Sequence, residues 1–258
     1  MEIVFYKYQG AGNDFVMIDN RNNRIHLDTT AINLLCDRRF GIGADGLILL
    51  EDVDGYDYKM VYYNADGNES TMCGNGGRCI AAFAKQVGAA DDNQFFLAID
   101  GDHKANIREK DLVALQMKDI HFVERNEDHI ILDTGSPHYI KFVNNTKEVK
   151  VFEEGSTIRN QKRFQPKGIN VNFVQNTDNV LRIRTYERGV EDETLACGTG
   201  VTAAAIASAS EKLGRQIIKV IAEGGELEVS FHKINDQNYQ DIWLTGPATL
   251  VFSGSIII

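Results

Sequence analysis

Two short segments carry residue types that could do chemistry, Cys73-Gly74-Asn75-Gly76 and Cys197-Gly198-Thr199-Gly200. Each places a thiol directly before a stretch that reads as a helix, RCIAAFAKQVG after the first and VTAAAIASASEKLG after the second. A sulfur there feels the orphan N–H groups of the first turn and the positive end of the macrodipole, both of which favour thiolate. The glycines let backbone amides face a ligand, so each loop is also an anion site suited to a carboxylate. Either loop alone could be no more than a small buried side chain packed before a helix. Its repetition argues otherwise: Glu69 and Glu193, and Tyr62 and Tyr186, keep the same offset as the two cysteines, close to half the chain. A fixed internal offset is the mark of a duplicated unit.

Two thiols brought to one cleft from opposite sides suit inversion of a carbon acid. One base removes the α-proton from one face and an acid delivers a proton to the other. A thiolate paired with a thiol lets each direction start from its own protonation state. The costly species is the carbanion, and preorganised N–H groups aimed at the developing enolate-like oxygens are the largest available stabilisation. Two helix N-termini would supply them.

The elements that must position these loops read as short runs bounded by Asp and Gly. Strands are expected over 3–8, 15–19, 47–51, 59–63, 95–99, 104–107, 112–117, 129–133, 169–174, 180–186, 219–222, 227–232, 242–244 and 249–252. A further helix is expected over 29–39, and the helix after Cys197 is expected to run to a C-cap at Gly214. With no helix-length segment between most neighbouring strands, the fold class is α+β with many antiparallel pairs. The boundary between halves falls where charge density rises, between Arg108 and Glu127.

Length and composition bound the rest. A chain of 258 residues, 43% apolar, is one large domain or two small ones. Its formal net charge of -10 argues against a nucleic-acid binder, which needs basic stripes to displace counterions. Four cysteines are too few for a disulfide scaffold, and MEIVFYKYQG has no basic n-region before a long apolar stretch, so a soluble cytoplasmic protein with reduced thiols and no membrane partner is expected. GIGADG (Gly41 to Gly46) matches the dinucleotide glycine spacing, but helix-like sequence precedes it and strand-like sequence follows, so it reads as a turn. Cys73 and Cys79 have no CxxC partner or nearby His for tetrahedral zinc, so no metal is expected. Cys36 and Cys79 lie within apolar helical runs and are assigned to packing.

GAGNDF (Gly10 to Phe15), YNADGNESTMCGNGGRC (Tyr63 to Cys79), GSPH (Gly135 to His138) and YERGVEDETLACGTG (Tyr186 to Gly200) together resemble the diaminopimelate epimerases, and the resemblance spans nearly the whole chain in order. It implies a cofactor-independent isomerase of lysine and cell-wall precursor synthesis, acting on a small amino-acid substrate. It also implies two pseudosymmetric halves, each a mainly antiparallel strand layer or barrel wrapped around a central helix. The halves are 1–115 with Cys73, which a C-terminal strand over 247–258 can complete, and 116–246 with Cys197. A homodimer is the assembly that several relatives adopt. By the same resemblance Cys73 and Cys197 are the catalytic thiols, and Gly74, Asn75, Gly198 and Thr199 hold the reacting α-carboxylate. Asn13, Asn64, Asn170 and Arg188 bind substrate, the last three mainly at its distal end, where the planar fork of Arg188 suits a carboxylate. Glu187 and His138 contact the reacting amino group or tune the thiols.

Two positions depart from the family pattern. Ser136 stands where Asn is frequent, and it can make a hydrogen bond but lacks an amide's reach. Gly46 stands where Gln is frequent, which removes a possible substrate contact. Two rival activities remain at this stage: a two-cysteine proline or hydroxyproline racemase, for which Asn64, Asn170 and Arg188 have no task as a distal clamp, and a cysteine hydrolase pairing Cys73 with His138, which leaves Cys197 idle.

Overall fold

The computed structural model describes residues 2–109, 111–178 and 180–258. The chain divides into two compact units, one of Met1–Leu115 with Gly246–Ile258 and the other of Gln116–Thr245.

In the first unit the chain forms β1 (Glu2–Gly10), β2 (Asn13–Asp19), α1 (Thr29–Cys36), β3 (Gly46–Glu51), β4 (Tyr58–Asn64), α2 (Gly74–Gln86), β5 (Asn93–Ala98), β6 (Gly101–Ile107) and β7 (Leu112–Gln116). The second unit contains β8 (Val123–Arg125), β9 (Ile130–Asp133), β10 (Pro137–Phe142), α3 (Val151–Arg159), β11 (Asn170–Thr177), β12 (Val180–Glu187), β13 (Asp192–Thr194), α4 (Gly198–Ala207), β14 (Gly214–Ala222), β15 (Gly225–Lys233) and β16 (Tyr239–Pro247), whose last residues, Gly246 and Pro247, already belong to the first unit. The last strand, β17 (Thr249–Ile257), belongs to the first unit and pairs with β1.

The α+β class holds as a mixed sheet with few helices. Within the first unit, β17–β1–β2 are antiparallel neighbours, β2 and β3 run parallel, β3 and β4 antiparallel, β4 and β5 parallel, and β5–β6–β7 antiparallel. In the second, β8–β9–β10 are antiparallel, β10 and β11 parallel, β11 and β12 antiparallel, β12 and β14 parallel, and β14–β15–β16 antiparallel. A parallel pair cannot be joined by a tight turn and needs a crossover. The helices are those crossovers: α1 and α2 join the first unit's two parallel pairs, α3 and α4 the second's.

Burial follows from this placement. Helix α2 packs on β1, β2, β3, β4, β6 and β17, and α4 on β9, β10, β11, β12, β14 and β15. Surrounded in this way, α4 has no polar face: Val201, Ala203, Ala204, Ala205 and Ile206 are all inaccessible. The other sheet faces carry second cores, Ile32 and Leu35 of α1 against Val16, Ile18 and Leu47, and Val151 and Ile158 of α3 against Val171 and Phe173. Coverage on both faces explains why β2 and β3 read as continuous apolar runs.

Several boundaries differ from the sequence expectation. Helix α1 stops at Cys36 instead of Arg39 because the Asp37 carboxylate takes the N–H groups of Arg39 and Phe40, each at 2.7 Å, in place of a further turn. Helix α4 stops at Ala207 with Ser208 as its C-cap, whose hydroxyl donates to the Ala205 carbonyl at 2.8 Å. Gly214 is therefore no cap; it opens β14, five residues before the expected strand, at a φ of +95°. Helix α3 and the strands β8, β10 and β13 are additions.

Removing a buried aromatic costs transfer energy and leaves a cavity. Phe173→Ala should lower unfolding stability by about 3–5 kcal/mol, whereas Phe122→Ala, 67% exposed, should stay within about 0.5 kcal/mol. Urea midpoints for the two variants check this.

Candidate functional site

Each cysteine loop ends in the same local structure. Cys73 is the N-cap of α2 and Cys197 the N-cap of α4, both extended (φ -92°, ψ 135° and φ -112°, ψ 109°). Their carbonyls accept the first helical bonds, from Gly77 N at 2.7 Å and Val201 N at 2.8 Å. In neither helix does the N-cap side chain cap the first turn, the task Ser or Asp usually performs. The cysteine side chains therefore do not take up the first-turn amides of either helix. Cys73 is half-buried and Cys197 buried. The other two thiols are different in kind: burial pushes Cys36 up to about 11 and Cys79 up to about 12, which leaves both protonated near neutrality.

In the first unit, Asn75 Nδ2 donates to Asn13 Oδ1 at 2.5 Å, and Asn13 Nδ2 donates to Asp45 Oδ2 at 2.9 Å. Arg78 Nη2 donates to Asn75 Oδ1 at 2.9 Å, Nη1 to the Gly74 carbonyl at 3.3 Å and Nε to the Pro247 carbonyl at 3.4 Å. Burial lowers the Arg78 pKa, with the nearby cysteine sulfurs acting in the opposite direction. Farther out, Arg38 grips Asp14 through two bonds of 2.7 and 2.8 Å and Asp45 through one of 2.7 Å. Burial alone would raise Asp14, but Arg38 and Lys7 hold it down at about 2. Asn13, Gly74 and Asn75 are therefore joined in one network beside Cys73. Asn64 is exposed at the end of β4, where its N–H donates to the Asn68 carbonyl at 3.0 Å.

The departure at Gly46 has a steric reason. A Cβ there would lie 2.5 Å from the Tyr63 carbonyl oxygen and 2.6 Å from Cε2 of Tyr62. The Tyr62 ring fills the space a side chain at 46 would need.

In the second unit, His138 is fully buried on β10, directly opposite Asn170 on β11. Its Nε2 lies 2.9 Å from Thr199 Oγ1 and 3.0 Å from Ser136 Oγ, and its Nδ1 lies 3.0 Å from Asn172 Nδ2. Asn170 Nδ2 donates to Ser136 Oγ at 3.0 Å, and Asn170 Oδ1 accepts from the Arg188 N–H at 2.8 Å. Cys197 Sγ is 3.4 Å from Thr199 Oγ1, and Thr134 Oγ1 pins the Thr199 carbonyl at 2.8 Å. Burial, and then the charge of Arg188, push the His138 pKa down to about 3, against the Asn172 hydrogen bond, so the ring is neutral at physiological pH. The Arg188 guanidinium itself donates to the Lys167 carbonyl at 3.2 Å. Glu187 stands apart from the His138 group: it accepts from Thr194 Oγ1 at 2.8 Å, and burial raises its pKa against that bond. Ser136, His138, Asn170, Thr199 and Cys197 form one connected cluster.

Asp45, Arg78 and Asn172 belong to these networks and were not singled out from the sequence. For Asn172 a signal existed, since Asn170 and Asn172 are two apart on one strand and so share a face. Among the described residues, no group of three or more His, Cys, Asp or Glu side chains could hold a metal ion, and no helix is long and apolar enough to cross a membrane.

The profile of the family described as "Diaminopimelate epimerase" matches residues 5–123 and 130–251. A diaminopimelate epimerase from Flavobacterium psychrophilum is 52% identical over 254 residues, covering 97% of this chain and 99% of its own. Among solved structures, a phenazine biosynthesis protein of the PhzF family from Bacillus anthracis aligns over 100% of both chains with a TM-score of 0.75 at 15% identity. A hydroxyproline epimerase from Agrobacterium vitis aligns over 99% of this chain and 92% of its own, with a TM-score of 0.71 at 13% identity. At those identities the two structures attest the fold alone.

The buried neutral His138 sets a sign for stability against pH. Its pKa is about 3 when folded and near 6.5 when unfolded, so the unfolded chain binds the extra proton as pH falls. Stability is full above the unfolded value and should decline from about pH 6.5 downward, before the carboxylates titrate. Thermal unfolding of the protein and of His138→Phe between pH 7.5 and 5 should show a steeper fall for the native side chain; parallel curves would contradict the assignment.

Proposed function

Because the chain belongs to the diaminopimelate epimerase family, we propose that it interconverts L,L- and meso-diaminopimelate by a two-base exchange between Cys73 and Cys197. It is an isomerase, and the reaction serves lysine and peptidoglycan precursor synthesis. The reading includes the finer architecture, two halves related by duplication and each wrapped around a central helix. What supports that is the identical run of antiparallel and parallel pairings in the two units, with α2 and α4 at equivalent crossovers.

The observation that carries the chemistry is a cysteine at the N-cap of a buried helix in each unit. One sulfur, as thiolate, takes the α-proton; the other, as thiol, returns a proton to the opposite face. The first-turn amides of both helices, including those of Gly74, Asn75, Gly198 and Thr199, receive the α-carboxylate and hold the charge that develops on it. Asn13, Asn64, Asn170, Ser136 and Arg188 bind the rest of the substrate. Glu187, half-buried with a raised pKa, suits a contact with a cationic amino group, whose approach would favour its ionised form.

The hydrolase alternative is disfavoured by His138. A ring whose pKa is near 3 is a poor base for activating a thiol, and its Nε2 already bonds Thr199 and Ser136. A proline-type racemase shares the fold but not the sequence match.

Cys73→Ser and Cys197→Ser should each cut kcat by about 10²–10⁴-fold, the range of a lost acid or base, with KM for diaminopimelate little changed. Full activity in Cys197→Ser would exclude the two-base exchange.

A further inference from the structure

The His138 ring is held from both sides, and its partners dictate where its proton sits. Asn172 Nδ2 lies 3.0 Å from His138 Nδ1 and 3.2 Å from the Tyr139 carbonyl oxygen, while Asn172 Oδ1 accepts from Thr185 Oγ1 at 2.9 Å. A carbonyl only accepts, so the amide nitrogen must be the end that faces it, and its second N–H donates to Nδ1. Nδ1 is the bare nitrogen and Nε2 carries the hydrogen.

The other side of the ring follows from that. Asn170 is oriented in the same way, with Oδ1 accepting the Arg188 N–H at 2.8 Å and Nδ2 facing the Pro137 carbonyl at 3.3 Å. Its Nδ2 therefore donates into Ser136 Oγ at 3.0 Å, which leaves the Ser136 proton for Thr199 Oγ1, 3.2 Å away. His138 Nε2–H faces Thr199 Oγ1 at 2.9 Å and Ser136 Oγ at 3.0 Å, and through the shorter contact Thr199 Oγ1 receives this hydrogen bond as well as that of the Ser136 proton. With its lone pairs engaged, the Thr199 hydroxyl directs its own hydrogen at Cys197 Sγ, 3.4 Å away.

We infer that Asn172 is a positioning residue for the reaction: by donating to Nδ1 it fixes His138 as the Nε2–H tautomer, so that His138 and Thr199 present a hydroxyl proton to the Cys197 thiolate. The inference rests on the two-thiol reading above. Such a chain has a use that an ion pair would not. It stabilises the thiolate without a formal charge, so the sulfur can still accept a substrate proton in the opposite direction. The packing is built to keep it. A Cβ at Gly200 would fall 2.4 Å from Asn172 Oδ1 and 3.3 Å from His138 Cε1, so only glycine lets the first turn of α4 close on this pair.

The test begins with the native protein. Long-range ¹H–¹⁵N correlation of labelled enzyme, with the His138 signals identified by their loss in His138→Gln, should show a protonated Nε2 and a bare Nδ1. Asn172→Asp then sets an acceptor-only carboxylate against Nδ1 and draws the proton there. Nε2 becomes an acceptor and the Thr199 hydroxyl turns toward it. Alkylation of Cys197 by iodoacetamide at neutral pH, read by peptide mapping with Cys73 as the internal reference, should slow about tenfold as thiolate is lost. The kcat should fall about a hundredfold with KM within about threefold, the pattern of an interaction that acts in the transition state. A native Nδ1–H tautomer overturns the inference even if the variant does not fold. So does an Asn172→Asp protein whose tautomer moves while alkylation and kcat stay at native values. Failure of the two-thiol reading looks different: Cys197→Ala would then remain active whatever the tautomer.

Discussion

A helix cannot satisfy its own first N–H groups, and in this protein two helices start inside packed units with a cysteine where a capping hydroxyl or carboxylate usually stands. That substitution is the constraint on which the rest depends. A capping oxygen would spend the donors on the protein itself. A thiol does not spend them in that way and sits in their field, so in the proposed reaction one position serves as the acid-base group beside the amides that receive the carboxylate. The mixed sheets serve this arrangement. Each unit needs a crossover between parallel strands, and that crossover is the helix whose N-terminus carries the sulfur.

The two sulfurs have unlike surroundings. Near Cys73 the polar support is a buried guanidinium, Arg78, which bonds Asn75 and two carbonyls. Near Cys197 it is a chain of amides, hydroxyls and one uncharged imidazole, the ring also feeling the charge of Arg188. A buried Arg keeps its charge under almost any circumstance, whereas a neutral chain depends on which way its hydrogens point. The first loop is biased by a fixed charge and the second by hydrogen-bond direction. Both networks leave no buried side-chain nitrogen or oxygen without a partner among the described residues, as a low-dielectric site requires.

Much of this was legible in the sequence. Apolar runs such as FVMI and LILL mark strands covered on both faces, and the repeated Cys-Gly-x-Gly before a helix marks both N-caps. The ends of elements were less legible, because they turn on single side-chain bonds: Asp37 stops α1, and Ser208 stops α4 well before Gly214. Strand β10 begins with Pro137 and follows a GSP turn, which hides it from any period-2 pattern. Helix α3 carries Gly155 at its centre, and its helix propensity is low without the core of β11 beneath it. At the site, His138 and Asn170 were reached through the family resemblance, while Asn172 and Arg78 were not. Their importance lies in partners such as Tyr139 and Pro247, which only strand register and chain return bring near.

The central claim is that one stereocentre loses a proton to one sulfur and gains a different proton from another. Its most direct test is the reaction of L,L-diaminopimelate in heavy water, stopped at low conversion. The two-thiol account predicts one solvent deuterium at the inverted α-carbon of the meso product and none in the remaining substrate. Equal deuterium in substrate and product at that stage, or a product that keeps its original hydrogen, would mean a single base serves both faces and would contradict it.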